Sequence, residues 1–260
     1  MENAYIITGS SSGLGASLTK LLRGKGNSVI TIDWKGDPDI TADLSDEIEQ
    51  AQAIDAAFKI CPSPLGVVSN AGLSPIHPNP FQIVEVNWFA ATHILNRFLD
   101  QPAKTPQGSA VAISSIGAAI GGDSEFETIL HSGNRKEAMA YIEEMYTHDS
   151  LEAGILAYST CKAALARFVR RKAKVWGESG VRLNAVSPGR METAMLEDLL
   201  AHEDVAEGIT ALPTGIKERG SAADVASVVE FLLDKRSAFI HGQVIYVDGG
   251  SEAILRPDLI

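Results

Sequence analysis

Short apolar runs alternate along the chain with longer stretches in which apolar positions recur every three or four residues. Ala4–Thr8 (AYIIT) is the first run and predicts a strand bounded by Gly9. Leu14, Leu18, Leu21 and Leu22 follow at helical spacing, with a stop expected at Gly24 and Gly26. Ser28–Asp33 predicts a second strand. Ser45 or Asp46 could cap a helix running to about Ile60, with Ile48, Ala51, Ile54 and Phe58 on its inner face. Residues 65–70, 109–115, 181–187 and 243–247 predict further strands; residues 81–99, 158–176, 192–208 and 221–234 predict further helices. The strands are apolar on both faces and separated by helices, the pattern of a parallel sheet covered on both sides. No linker or repeat divides the chain. The expected fold class is therefore α/β, a single doubly wound domain over residues 1–260.

Composition narrows the function classes. Of the 260 residues, 45% are hydrophobic and 21% charged, as in an ordinary globular protein. The net charge of −11 disfavours broad contact with nucleic acid or anionic lipid. Arg167, Arg170, Arg171, Lys172 and Lys174 do not change this, because they fall in the C-terminal half of one helix, where cations complement the dipole. Cys61 and Cys161 make no disulfide framework. No apolar run approaches the roughly 18 residues of a membrane span, and the opening residues lack the pattern of a secretory leader. The expectation is a cytoplasmic enzyme with no nucleic-acid or membrane partner.

Between the first strand and the first helix stands Thr8-Gly9-Ser10-Ser11-Ser12-Gly13-Leu14-Gly15. Glycines let the backbone approach a pyrophosphate, and a helix N-terminus supplies N–H groups and a positive dipole end. Asp33 closes the second strand 20 residues after Gly13, where a carboxylate can accept both hydroxyls of an adenosine ribose and repel a 2′-phosphate. Lys35 is expected to point into solvent. The cofactor predicted is NAD rather than NADP, on a Rossmann-like sheet. The acidic run Asp37, Asp39, Thr41, Asp43 fails as a calcium loop, with Ala42 at its sixth position and Ile48 at its twelfth. No histidine pair has metal-ligand spacing, and no metal is predicted.

Tyr158 and Lys162 stand one helical turn apart. Lowering a phenol from about 10 to about 7 requires roughly 4 kcal/mol. A cation about 4 Å away at an effective dielectric near 20 supplies that much. Lys162 is expected to play this part.

With these residues in view, the chain resembles the short-chain dehydrogenase/reductase family over nearly its whole length. TGSSSGLG is similar to the family's T-G-x-x-x-G-x-G. Asn70-Ala71-Gly72 resembles its N-A-G turn, and Asp43-Leu44 the pair beside the adenine. Ser115 matches the serine that hydrogen-bonds the substrate oxygen, chosen over Ser114 by its place in the pair. Asn87 matches the helix asparagine that orders a relay water near the lysine. Pro188-Gly189 followed by Thr193 resembles the P-G-x-x-x-T segment at the nicotinamide carboxamide. The resemblance implies a catalytic set of Ser115, Tyr158, Lys162 and Asn87. It implies a cofactor set of Gly9, Ser11, Ser12, Gly13, Leu14, Gly15, Asp33, Asp43, Leu44, Asn70, Ala71, Gly72, Tyr158, Lys162, Pro188, Gly189, Met191 and Thr193. It implies hydride transfer between NAD and the carbinol or carbonyl carbon of a small molecule, in a homodimer or homotetramer.

One departure stands out. Ser115 and Tyr158 are 43 positions apart, leaving a helical insert at about 117–155. Two readings of it stay open: a surface decoration, or a substrate-side cap that also alters subunit contacts. The insert and His241-Gly242 make the chain resemble most the family's bacterial 3α-hydroxysteroid dehydrogenase/carbonyl reductases. Coniferyl-type alcohol dehydrogenases are the rival enzyme reading. An inactive NAD-binding regulator is the alternative of another class.

Overall fold

The computed structural model describes residues 4–101, 108–216 and 219–259; the rest of the expected 1–260 domain lies outside the described residues. Strands β1 (Ala4–Thr8), β2 (Ser28–Asp33), β3 (Ile40–Thr41), β4 (Gly66–Ser69), β5 (Ser109–Ile113), β6 (Arg182–Pro188) and β7 (Val244–Val247) build one parallel sheet. Their order is β3-β2-β1-β4-β5-β6-β7. The helices are α1 (Gly13–Gly24), α2 (Glu47–Ile60), α3 (Pro80–Val84), α4 (Ala91–Leu99), α5 (Gly117–Ile120), α6 (Ser124–Ser132), α7 (Arg135–Tyr146), α8 (Ser150–Glu178), α9 (Ala194–Ala201), α10 (Glu203–Ala211), α11 (Ala222–Leu233) and α12 (Ser251–Leu255). Leu14, Leu18 and Leu22 of α1 pack with Val225, Val229 and Leu232 of α11 on one face of the sheet. The other face carries the larger core, with Ile54 and Phe58 of α2, Ile94 and Leu95 of α4, and Leu165 and Phe168 of α8. The doubly wound α/β reading is correct. Strand order reverses between β1 and β4, so a crevice opens beyond their carboxyl ends.

Four local expectations need correction. Asp46 caps α2 by accepting from the amides of Ile48 and Glu49, but Ile48 is 68% exposed. The inner face is Gln50, Ala53, Ile54, Ala57 and Phe58. The helix expected at 81–99 contains a π-helical stretch, Glu85–Ala90, between α3 and α4. The helix expected at 192–208 breaks at His202 into α9 and α10. Finally, α8 begins at Ser150 rather than Tyr158, capped by Asp149, whose carboxylate accepts from Leu151 and Glu152.

The insert is more than a surface decoration: its middle packs into the main core, and Gly117, Ile120, Gly121 and Ile155 at its two ends line the cleft beyond the strand ends. Phe126, Leu130, Ala138 and Ile142 of α6 and α7 are fully buried and belong to the main core. Phe126 stacks on Tyr141, with ring centroids 5.2 Å apart. Arg135 pairs with Glu85, and its guanidinium lies 4.4 Å from the Phe89 ring. The insert thus covers the outer side of the π-helical stretch. That explains why Val86, Asn87, Trp88, Phe89 and Ala90 are buried in succession, which a helix with one wet face would not allow.

Candidate active site

A cleft of about 1120 Å³ follows the carboxyl ends of the strands. That exceeds the span of ordinary single-ligand pockets, roughly 300–1000 Å³. Gly9, Ser12, Gly13, Leu14, Asp33, Asp43, Leu44, Asn70, Ala71, Gly72, Ser115, Tyr158, Lys162, Pro188, Gly189, Met191 and Thr193 all line it. Residues as far apart as Gly9 and Thr193 are brought together by the parallel strands. Three expected site residues do not line it. Ser11 donates its amide to Asp33 Oδ2 at 2.8 Å and its hydroxyl to the Lys35 carbonyl. Gly15 lies under the loop, where an added Cβ would come within 2.0 Å of the Gly9 carbonyl. Asn87 is fully buried and grips Leu73: its Oδ1 accepts from the Leu73 amide at 2.8 Å and its Nδ2 donates to the Leu73 carbonyl at 3.0 Å. Each shapes the cleft from behind.

At the glycine end, Asn70 Nδ2 donates to the carbonyls of Thr8 and Gly9, and Thr8 Oγ1 accepts from the amides of Asn70 and Ala71. The ends of β1 and β4 are thereby locked at the switch point. Ser12 caps α1 without a side-chain hydrogen bond, leaving the first-turn amides facing the cleft. At Gly13, a Cβ would project toward Thr193, 3.5 Å from its methyl group. Asp33 is 5% exposed, and its carboxylate is oriented by the amides of Ser11, Trp34 and Lys35. These glycines, helix amides and the oriented carboxylate fit a dinucleotide: the first two its pyrophosphate, the third its adenosine ribose.

At the other end, Ser114 and Ser115, just past the end of β5, make different hydrogen bonds. Ser114 Oγ donates to the Lys162 carbonyl at 2.7 Å and anchors α8. Ser115 Oγ accepts from the Gly117 amide at 3.1 Å and hydrogen-bonds the Tyr158 phenol. Lys162 is 4% exposed; its Nζ donates to the Ile113 carbonyl at 2.9 Å and lies 5.9 Å from the centroid of the Tyr158 ring. Burial lowers Lys162 to about 8, against a slight upward pull from Cys161. Burial also pushes the Tyr158 phenol above its ordinary value, and the Ser115 hydrogen bond is what pulls it back down. The sequence expectation placed that downward pull on Lys162. In this structure the Lys162 ammonium is held by the Ile113 carbonyl beside the Tyr158 ring.

Comparison with known proteins decides the family. A family profile described as enoyl-(acyl carrier protein) reductase matches residues 134–252. The 3-alpha-hydroxysteroid dehydrogenase/carbonyl reductase of Comamonas testosteroni is 35% identical over 97% of this chain and 97% of its own length. The chain belongs to the short-chain dehydrogenase/reductase family. A crystal structure of the 3-alpha-hydroxysteroid dehydrogenase from Pseudomonas sp. B-0831, complexed with NADH, superposes with a TM-score of 0.89 at 31% identity, covering 99% of this chain and 100% of that one. The coniferyl-alcohol dehydrogenase of Pseudomonas sp. (strain HR199 / DSM 7063) is 27% identical over 94% of each chain.

As a short-chain dehydrogenase/reductase, the chain also presents cleft residues that the motifs did not single out. Trp34, next to Asp33, lines the rim and is 64% exposed. Lys35, expected to point away into solvent, lines the same rim with its ammonium 5.4 Å from the Trp34 ring centroid. Ile120, Ile155, Met195, Leu199, Ile209 and Leu212 give the far end apolar walls. Of the insert, Gly117, Ile120, Gly121 and Ile155 line the cleft and residues 122–154 do not. The only sequence signal for Trp34 was its position one step beyond Asp33, the acid expected at the ribose.

Proposed function

We propose that this protein is an NAD(H)-dependent oxidoreductase that interconverts a secondary alcohol and a ketone. The carrying observation is that Tyr158, Ser115 and Lys162 face the same cleft as the glycine loop and Asp33. A nicotinamide dinucleotide would supply the hydride chemistry there. Its phosphates would lie at Ser12, Gly13 and Leu14, its adenosine hydroxyls at Asp33, and its carboxamide end near Gly189, Met191 and Thr193. Tyr158 gives its phenolic proton to the carbonyl oxygen in reduction and takes it back in oxidation. Ser115 holds that oxygen and, through its bond to the phenol, limits the rise that burial imposes. Lys162, lowered to about 8, can gain or lose a proton near neutral pH and so resupply the phenol. Asn87 fixes the Gly72-Leu73 turn beside Lys162 and keeps that path in place.

The preference for NAD rests on Asp33, whose carboxylate would repel a 2′-phosphate. The apolar far walls suit a bulky ketone such as a 3-ketosteroid, and the Comamonas and Pseudomonas relatives support that class. We further propose a homo-oligomer. All four residues of edge strand β7 are partly exposed and Phe239 is fully exposed, an apolar edge of the sort proteins cover.

A spectrophotometric screen of NADH and NADPH against ketosteroids, quinones, aryl ketones and aryl alcohols tests the reading. The expected result is ketosteroid reduction with a lower KM for NADH than for NADPH. Tighter use of NADPH would refute the Asp33 argument. Turnover confined to aryl alcohols would move the substrate class to the coniferyl type.

A further inference from the structure

Helix α10 lines the cleft with Asp204, Val205, Gly208 and Ile209, yet none of its residues is fully buried. Its own sequence holds it weakly. It is nine residues long, with Gly208 near its middle and Val205, Ile209 and Thr210 β-branched. The chain becomes fixed again just beyond it. Ser251 Oγ donates to the Pro213 carbonyl at 2.6 Å, and the Gly215 amide to the Gly249 carbonyl at 2.7 Å.

Among the described residues, Arg190 makes three hydrogen bonds to the end of α10. Its Nη1 donates to the carbonyls of Ile209 and Thr210, both at 3.2 Å, and its Nη2 to the carbonyl of Leu212 at 2.9 Å. The last carbonyls of a helix have no partner within the helix, and a cation is favoured at that end. The root of Arg190 is rigid. It follows Pro188-Gly189 at the end of β6, where the Gly189 amide donates to the Val247 carbonyl at 3.0 Å. The Gly220 amide then donates to the Arg190 carbonyl, and the Glu192 amide to the Gly220 carbonyl, each at 2.8 Å. One side chain thus spans from the strand end that lines the Tyr158 side of the cleft to a wall helix with little packing of its own.

We propose that Arg190 is a positioning residue that clamps α10 as the mobile wall of the substrate half of the cleft. This rests on the reading of the cleft as a dinucleotide-plus-ketone site. The clamp ties the position of α10 to the β6 end, so the wall is set where the reacting carbonyl must lie. Lysine cannot reproduce the clamp fully, because a single ammonium has no planar fork to reach three carbonyls on one turn.

Arg190→Met and Arg190→Lys test it by amide hydrogen exchange over 203–212 in the cofactor-free protein, with steady-state kinetics and NADH affinity beside it. The clamp predicts that Arg190→Met raises exchange in 203–212 by about tenfold while the α1 and α11 amides stay protected. It also predicts a KM for the ketone raised about tenfold, kcat changed less than about threefold and NADH affinity within about twofold, with Arg190→Lys intermediate in exchange and KM. Unchanged exchange in 203–212 would overturn the clamp whatever the activity. Raised exchange with an unchanged KM would overturn its role in positioning. If neither the wild type nor any variant reduces a ketone, the functional reading fails, and exchange still decides whether Arg190 holds the helix.

Discussion

Lys162 brings an ammonium group to a place that water scarcely reaches, and the lowering to about 8 is the consequence. An unfolded lysine keeps its proton to about 10.5. Below pH 8 both states are protonated and the full cost of burying the charge stands. Between pH 8 and 10.5 the unfolded state binds more protons, so this group's contribution to stability rises with pH across that window. The shift corresponds to about 3 kcal/mol at neutral pH, offset in part by the bond from Nζ to the Ile113 carbonyl, worth about 1–2 kcal/mol. Lys162→Met should therefore stabilise the cofactor-free protein at pH 7 by about 1–2 kcal/mol while abolishing turnover. Thermal unfolding at pH 7 and pH 10 checks this: the gain should shrink at the higher pH, and a loss of stability at pH 7 would contradict the burial argument. A site that destabilises its own fold at one residue is a common mark of chemistry placed there.

Among the elements, α8 does the most. It carries Tyr158 and Lys162, its outer face is covered by α6 and α7, and the 73–79 loop sits against its first turns. Gly154 makes that last contact possible, since a Cβ there would come within 2.4 Å of the Pro75 carbonyl and 3.7 Å of Ile83. Gly154→Ala would gain about 1 kcal/mol of helix propensity in isolation. Here it should instead cost about 1–3 kcal/mol, because backbone must shift to admit the methyl group. Urea unfolding reads the cost, and a raised ketone KM should accompany it, because Ser74, Pro75 and His77 line the cleft. The same glycine shows why the sequence was legible in one place and not another. Doubly apolar strands and leucine-spaced helices declare themselves, and the motifs at Gly9–Gly15, Asp33, Ser115 and Tyr158 fall at strand ends that the pattern locates well. Gly154, however, reads as a helix breaker until the loop packed against it is known, so the start of α8 at Ser150 was hidden. The π-helical turn at Asn87 and the break at His202 depend on tertiary partners in the same way. So does the burial that raises the Tyr158 phenol and lowers Lys162.

At the scale of the molecule, the parallel sheet does the assembling: its switch point sets the glycine loop beside Asn70-Ala71-Gly72, and the ends of β5 and β6 carry Ser115 and Pro188-Gly189 to the neighbouring wall. The insert thickens one layer and lends the cleft its two ends, and among the described residues no helix is long and apolar enough to cross a membrane. The proposed function then depends on one phenol, Tyr158, placed in the cleft. Trp34 offers a direct view of that cleft, because it is 64% exposed at the rim while Trp88 and Trp176 are at most 4% exposed. The decisive measurement is Tyr158→Phe, with NADH binding followed by Trp34 fluorescence and turnover by NADH absorbance on the same sample. The account predicts NADH affinity within about twofold of wild type and turnover lowered by about 10³-fold or more. A variant that binds NADH normally and still reduces the ketone at a tenth of the wild-type rate would contradict it.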